Sequence, residues 1–187
     1  MKQNSFFNLL PTIIVFLIVS SIWVIFNVSN IEILYLFIGL ILGYFFLDLD
    51  HIIYWFWRKP NTDESRIIKT ALNKKDLKSF SKIIKAARSS HTDLIFHHYF
   101  FQISLNLISF FIFISSTNTF ILSFLLSINL HLLTDEIRDY SRNPKFLQNW
   151  LFAREEKQLP VKSLRNYLII FNILFFIFLF LLVKSKA

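Results

Sequence analysis

The chain of 187 residues has no cysteine, only two glycines, and little charge, with Asp, Glu, Lys and Arg making up 17% of it. Without cysteine there is no disulfide scaffold, no thiolate metal site and no cysteine nucleophile. Two glycines rule out a collagen-like repeat. What fills the chain is apolar. Hydrophobic residues reach 55%, with 24 Phe. That excludes disorder and exceeds what a soluble domain of this length would bury. One domain accounts for the length, and no solenoid-type repeat is present.

A membrane-crossing helix needs about 20 mostly apolar residues. Five stretches approach this, at about 6–27, 31–57, 94–115, 119–134 and 166–184. The fourth is short, and by length alone it fits a re-entrant or shielded segment. The first has no small-residue cleavage site after it and reads as a retained span. The expectation is an all-α, multi-pass transmembrane helical bundle of about five spans.

The net charge of +8 becomes an orientation. The short connections 27–30 and 115–119 carry no charge. The long ones, 58–93 and 135–165, are rich in Lys and Arg. The positive-inside rule puts the N-terminus and both long loops in the cytoplasm. Within 58–93, Leu77, Phe80, Ile83, Ile84 and Ala87 recur at helical spacing, with Lys74, Lys78, Lys82 and Lys85 on the other face. This predicts a basic amphipathic cytoplasmic helix lying on anionic lipid headgroups. The basic residues flank spans and form no recognition fold, so no nucleic-acid partner is expected. Tyr54, Trp55 and Trp57 read as an interfacial aromatic belt.

All five histidines fall at that same cytoplasmic face. His51 closes Asp48-Leu49-Asp50-His51 at the end of the second span. His91, His97 and His98 precede the third, and His131 ends the fourth, four residues before Asp135. Asp48 and His51 share one helix face, as do His131 and Asp135. The third segment offers two ligand pairs, His91 with His98 or Asp93 with His97. Polar stripes run Ser123, Ser127, His131, Asp135 and His98, Gln102, Asn106 at every fourth residue. Ionisable residues in a span normally face the bundle interior, so the second stripe favours His98 over His97. Glu136 and Asp139 read as solvated loop charges.

Imidazole nitrogen and carboxylate oxygen without thiolate suit Zn first, then Mn or Fe. Candidate ligands are Asp48, His51, His91, His98, His131 and Asp135, with Asp50 as candidate base or bridging ligand. One ion or two fit that number of donors. Such a site implies metal-assisted hydrolysis of a phospho- or acyl-ester, with a lipid at the cytoplasmic leaflet as the expected substrate. A non-enzymatic metal site is the alternative. Cation transport fits less well, because transporter sites lie near the bilayer midplane.

Asp48-x-Asp50-His51 after an early span, and His131-x-x-x-Asp135 ending a later one, resemble the YdjM-like family of bacterial inner-membrane proteins, described as metal-dependent hydrolases. The resemblance covers about Tyr44 to Asp135. It implies an inner-membrane location and a hydrolytic reaction class, with no substrate. The middle element departs from the family pattern. No Arg follows His91, and the gap to the next His is six or seven residues where the family has five. Asn129-Leu130 stands where a Ser is expected before His131, and the first span lacks a His.

Overall fold

A computed structural model describes residues 6–76, 82–83 and 93–186. Among the described residues all regular structure is helical, without strands. The helices are α1 (Phe6–Ile25), α2 (Asn30–Phe46), α3 (Leu49–Ile53), α4 (Asp63–Asn73), α5 (Tyr99–Ser115), α6 (Thr119–Arg142), α7 (Pro144–Leu151) and α8 (Val161–Lys184). Three continuous helical stretches, Asn30–Arg58, Thr119–Arg142 and Val161–Lys184, are long and apolar enough to cross a membrane. Leu9–Ile25 and Tyr99–Ser115 are apolar but shorter. The predicted amphipathic pattern over 74–87 falls mostly outside the described residues, as does His91.

Helix α6 is the hub and packs against α1, α2, α5, α7 and α8. It is the least apolar of the three long stretches and the most buried. That combination follows from position, since a helix shielded by protein needs no lipid-compatible surface. Its start is set by Asn118, whose side chain accepts the N–H of Ile121 at 3.1 Å. Its end comes at Arg142, eight residues beyond the boundary at 134 read from hydropathy. Residues 135–142 are therefore helix where a cytoplasmic loop was expected. Glu136 is fully buried and Asp139 half-buried, not solvated loop charges. Outward-facing Phe111, Phe176 and Phe180 stay exposed, as suits a lipid-facing surface.

The two glycines of the chain stand four residues apart on α2 and both meet α6. A Cβ at Gly39 would lie 2.7 Å from the Phe120 carbonyl oxygen and would overlap the Ser123 hydroxyl. A Cβ at Gly43 would overlap the Phe124 carbonyl oxygen and lie 2.8 Å from the Ser127 Cβ. Small residues let backbones approach this closely, and in lipid such packing replaces the hydrophobic drive that water would give.

Close approach lets α6 side chains bond to the α2 backbone. Ser127 Oγ donates to the Leu40 carbonyl at 2.6 Å, and His131 Nδ1 to that of Tyr44 at 2.8 Å. Ser123 Oγ reaches the Tyr35 carbonyl at 3.4 Å. At the far end Thr119 donates to Glu32, which also pairs with Lys186 at 2.9 Å. Partner numbers rise together along both helices, so α2 and α6 run parallel.

The expected effect of Gly43→Ala is a destabilisation of about 1–3 kcal/mol from overpacking, read from unfolding of the purified protein in detergent. Leu42→Ala, on the exposed side of the same helix, should change stability by no more than about 0.5 kcal/mol.

Candidate metal centre

Below α2 the helical path tightens and then widens. Asp50 N–H bonds to the Leu47 carbonyl and His51 N–H to that of Asp48, both three residues back. A π-helical turn over Tyr54–Arg58 follows, closed by Lys59 N–H on the Tyr54 carbonyl at 2.8 Å. Such turns change the phase of a helix. Here the irregular stretch holds both Asp50 and His51 buried. Trp55 is buried as well, packed on Ile68 of α4 and 5.9 Å from the His51 ring. Only Trp57 of the expected aromatic belt is strongly exposed.

Residues 93–98 form a turn folded over Asp50. The Asp50 carboxylate accepts the N–H of Ile95 at 2.9 Å and of Phe96 at 2.6 Å, and meets His97 Nδ1 at 3.2 Å. This turn decides which histidine points where. Helix α5 starts at Tyr99, with His98 as its N-cap accepting the Phe100 N–H at 3.4 Å. The helical stripe of Gln102 and Asn106 therefore does not extend back to His98. His97, not His98, enters the cluster.

A cavity of about 30 Å³ opens between α2–α3, the 93–98 turn, α6 and α7, with room for one or two water-sized occupants. Asp48, His51, His97, His131 and Asp135 contribute to its wall, with Arg138 and Asp139 one turn further on. Asp50 and His98 are not among its described lining residues. Phe146 and Trp150 of α7 close one side. Trp150 is held there by Nε1 donating to Asp139 at 3.2 Å, and its ring stands edge-on to His97 at 5.8 Å.

The central contact is on Asp135. His131 Nε2 lies 3.4 Å and His97 Nε2 3.9 Å from the same oxygen, Oδ2. Arg138 takes Oδ1 at 2.9 Å. The other nitrogen of each ring is already committed. His131 Nδ1 faces a carbonyl, which only accepts, and His97 Nδ1 faces the Asp50 carboxylate. Each Nδ1 therefore carries the hydrogen, and in a neutral ring each Nε2 presents a lone pair to a carboxylate oxygen. That arrangement requires a positive partner, either a proton on the ring or a cation between the groups. The Tyr44 ring stacks on His131 at 4.6 Å and fixes its plane.

Donors of a tetrahedral ion at the usual bond lengths stand roughly 3.3–3.6 Å apart. The His131–Asp135 spacing matches that range and the His97–Asp135 spacing exceeds it. Among the described residues, no three His, Asp or Glu side chains are placed to hold one ion together as they stand. Donor chemistry fits a divalent cation throughout; spacing fits it at His131 and Asp135.

Asp93 does not join the cluster. It pairs with Arg58 at 2.6 Å and Arg154 at 2.9 Å, tying the π-helical turn and the segment after α7 to the start of the 93–98 turn. Sequence spacing gave no sign of this role.

Searches against family models, curated proteins and solved structures find no match for this chain.

Burial pushes the Asp93 carboxyl up, but hydrogen bonds and charge from Arg58 and Arg154 outweigh it and hold it below the usual range. Its stabilising contribution is therefore present above the ordinary carboxylate pKa and is lost as pH falls through its lowered value. Wild-type protein should be more stable than Asp93→Asn at neutral pH, with the gap closing in acid. Unfolding curves taken across a pH series check this.

Proposed function

We propose that this chain is a membrane-embedded, metal-dependent hydrolase. Its divalent ion, Zn before Mn or Fe, is bound by His97, His131 and Asp135 at the cytoplasmic end of a bundle of about five spans. Asp48 and His51 stand in the same wall as further donors. The supporting observation is the convergence of two imidazole Nε2 atoms on one oxygen of Asp135, each ring having its Nδ1 tied to an acceptor. Metal-bound histidines almost always donate their second nitrogen to a carboxylate or a backbone carbonyl in this way. The inner-membrane location and the YdjM-like family remain part of this proposal.

A divalent ion here supplies polarisation of an ester oxygen and acidification of water. The protein does the rest. Tyr44 and the Asp50-bound turn orient the two rings. Arg138 gives an otherwise acidic wall its positive edge. Trp150 and Phe146 limit access of bulk water. The substrate class is a phospho- or acyl-ester reaching the site from the anionic leaflet.

The cavity volume favours a second reading, a metal site without catalysis. About 30 Å³ is the space of an ion with its bound water.

Purified full-length protein should retain close to one Zn per chain by elemental analysis. His131→Ala and His97→Ala should each weaken binding by more than about 100-fold, beyond the usual loss for residues that only support a ligand. Hydrolysis of bis-p-nitrophenyl phosphate or p-nitrophenyl butyrate by the Zn-loaded wild type supports the enzyme. Zn retention without turnover of these or of phospholipid vesicles supports the second reading. Absence of Zn binding overturns both.

A further inference from the structure

Asp50 carries the Asp-x-Asp-His pattern's third position, yet it does not line the cavity. It is 1% exposed, and its oxygens are turned to donors. Oδ1 takes the Ile95 N–H; Oδ2 takes the Phe96 N–H and meets His97 Nδ1. Buried and turned to two backbone donors and a ring nitrogen, the carboxylate stands away from the cavity where water would be activated. What it does control is the ring beside it. A group that only accepts forces the facing nitrogen to carry the hydrogen. The opposite nitrogen, Nε2, is then bare in the neutral ring, and Nε2 is the atom 3.9 Å from Asp135 Oδ2.

We infer that Asp50 is a positioning residue: it fixes His97 in the Nδ1–H tautomer and anchors the 93–98 turn, so that the His97 Nε2 lone pair faces Asp135. The use of that lone pair for a metal ion rests on the proposed function. The tautomer does not, and it is measurable in metal-free protein.

Only a carboxylate meets all three donors at once. In Asp50→Asn one oxygen becomes an NH2 group. Turned towards His97, it donates to Nδ1 and moves the ring hydrogen to Nε2, where it blocks the ion. Turned the other way, it opposes the Ile95 N–H and loosens the turn. The same logic gives carboxylate partners of metal-bound histidines their usual effect of about 10–100-fold on affinity.

The experiment is 15N NMR of histidine-labelled full-length protein in detergent, at a pH where the ring is neutral, with His97 assigned from His97→Gln. Zn titrations of wild type and Asp50→Asn run in parallel. The expected result is His97 as Nδ1–H in the wild type. In Asp50→Asn it shifts towards Nε2–H, with Zn bound about 10–100-fold more weakly. A wild-type ring found as Nε2–H overturns the inference whatever the metal data show. So does an Asp50→Asn protein with unchanged tautomer and Zn affinity within twofold of wild type. Should Asp50→Asn fail to fold, the wild-type tautomer decides alone. A wild type that is Nδ1–H but binds no Zn upholds the role of Asp50 and overturns the proposed function instead.

Discussion

Everything at the His–Asp cluster depends on how near α2 comes to α6. Gly39 and Gly43 remove the side chains that would hold the two backbones apart, and the gap they leave is filled by hydrogen bonds. Ser127 and His131 each reach a main-chain carbonyl 87 residues earlier, and Thr119 reaches Glu32 at that same offset. The offset is a register. Carried one turn further, it sets Asp135 beside Asp48, and both residues line the cavity. Slipping the helices by a single residue would break the His131 bond to Tyr44 and turn the imidazole away from Asp135. The position of the cluster is thus decided in the middle of the bundle, two turns from where its chemistry lies.

The second constraint is electrostatic. Four carboxylates, Asp48, Asp50, Asp135 and Asp139, gather within or beside one small cavity in a chain whose overall charge is strongly positive. Like charges this close are tolerated only with compensation. Arg138 answers Asp135 and Asp139. Two backbone N–H groups answer Asp50. The two Nε2 atoms on Asp135 are the part of the balance that a proton or a metal completes. A second ion-pair group, Asp93 with Arg58 and Arg154, holds the covering turn from outside.

The helical class was readable from composition, and the inward stripe of Ser123, Ser127, His131 and Asp135 from spacing alone. The spacing meant more than a polar face, because Ser123, Ser127 and His131 each bond a carbonyl of α2. The spacing of the two glycines was equally available in the sequence, since small residues four apart mark close helix pairs. His97 was harder to see. Its orientation depends on where α5 begins, and a cap at His98 ends the periodicity that pointed to His98 itself. The depth of Glu136 was invisible for a related reason. Charges at 135–139 resemble a loop by composition, and the tertiary partner of Glu136, Gln102 donating to it at 3.1 Å, has no signature in local sequence. Trp55 reads as interfacial by type, but α4 covers it.

The rungs between α2 and α6 are asymmetric. On α6 each needs a particular side chain. For Ser123, Ser127 and His131 the acceptor on α2 is main-chain oxygen, which every residue type supplies; only Thr119, among these, meets a side chain, that of Glu32. At a position such as Leu40, the bond to Ser127 survives any substitution that fits the packing. The contact therefore leaves almost no paired signature in sequence, and substitutions accumulating on α2 would not be echoed on α6. Among relatives of this chain, the two helices would look independent except at the glycines and at the Glu32–Thr119 pair, although the cluster at their ends requires them to move as one body.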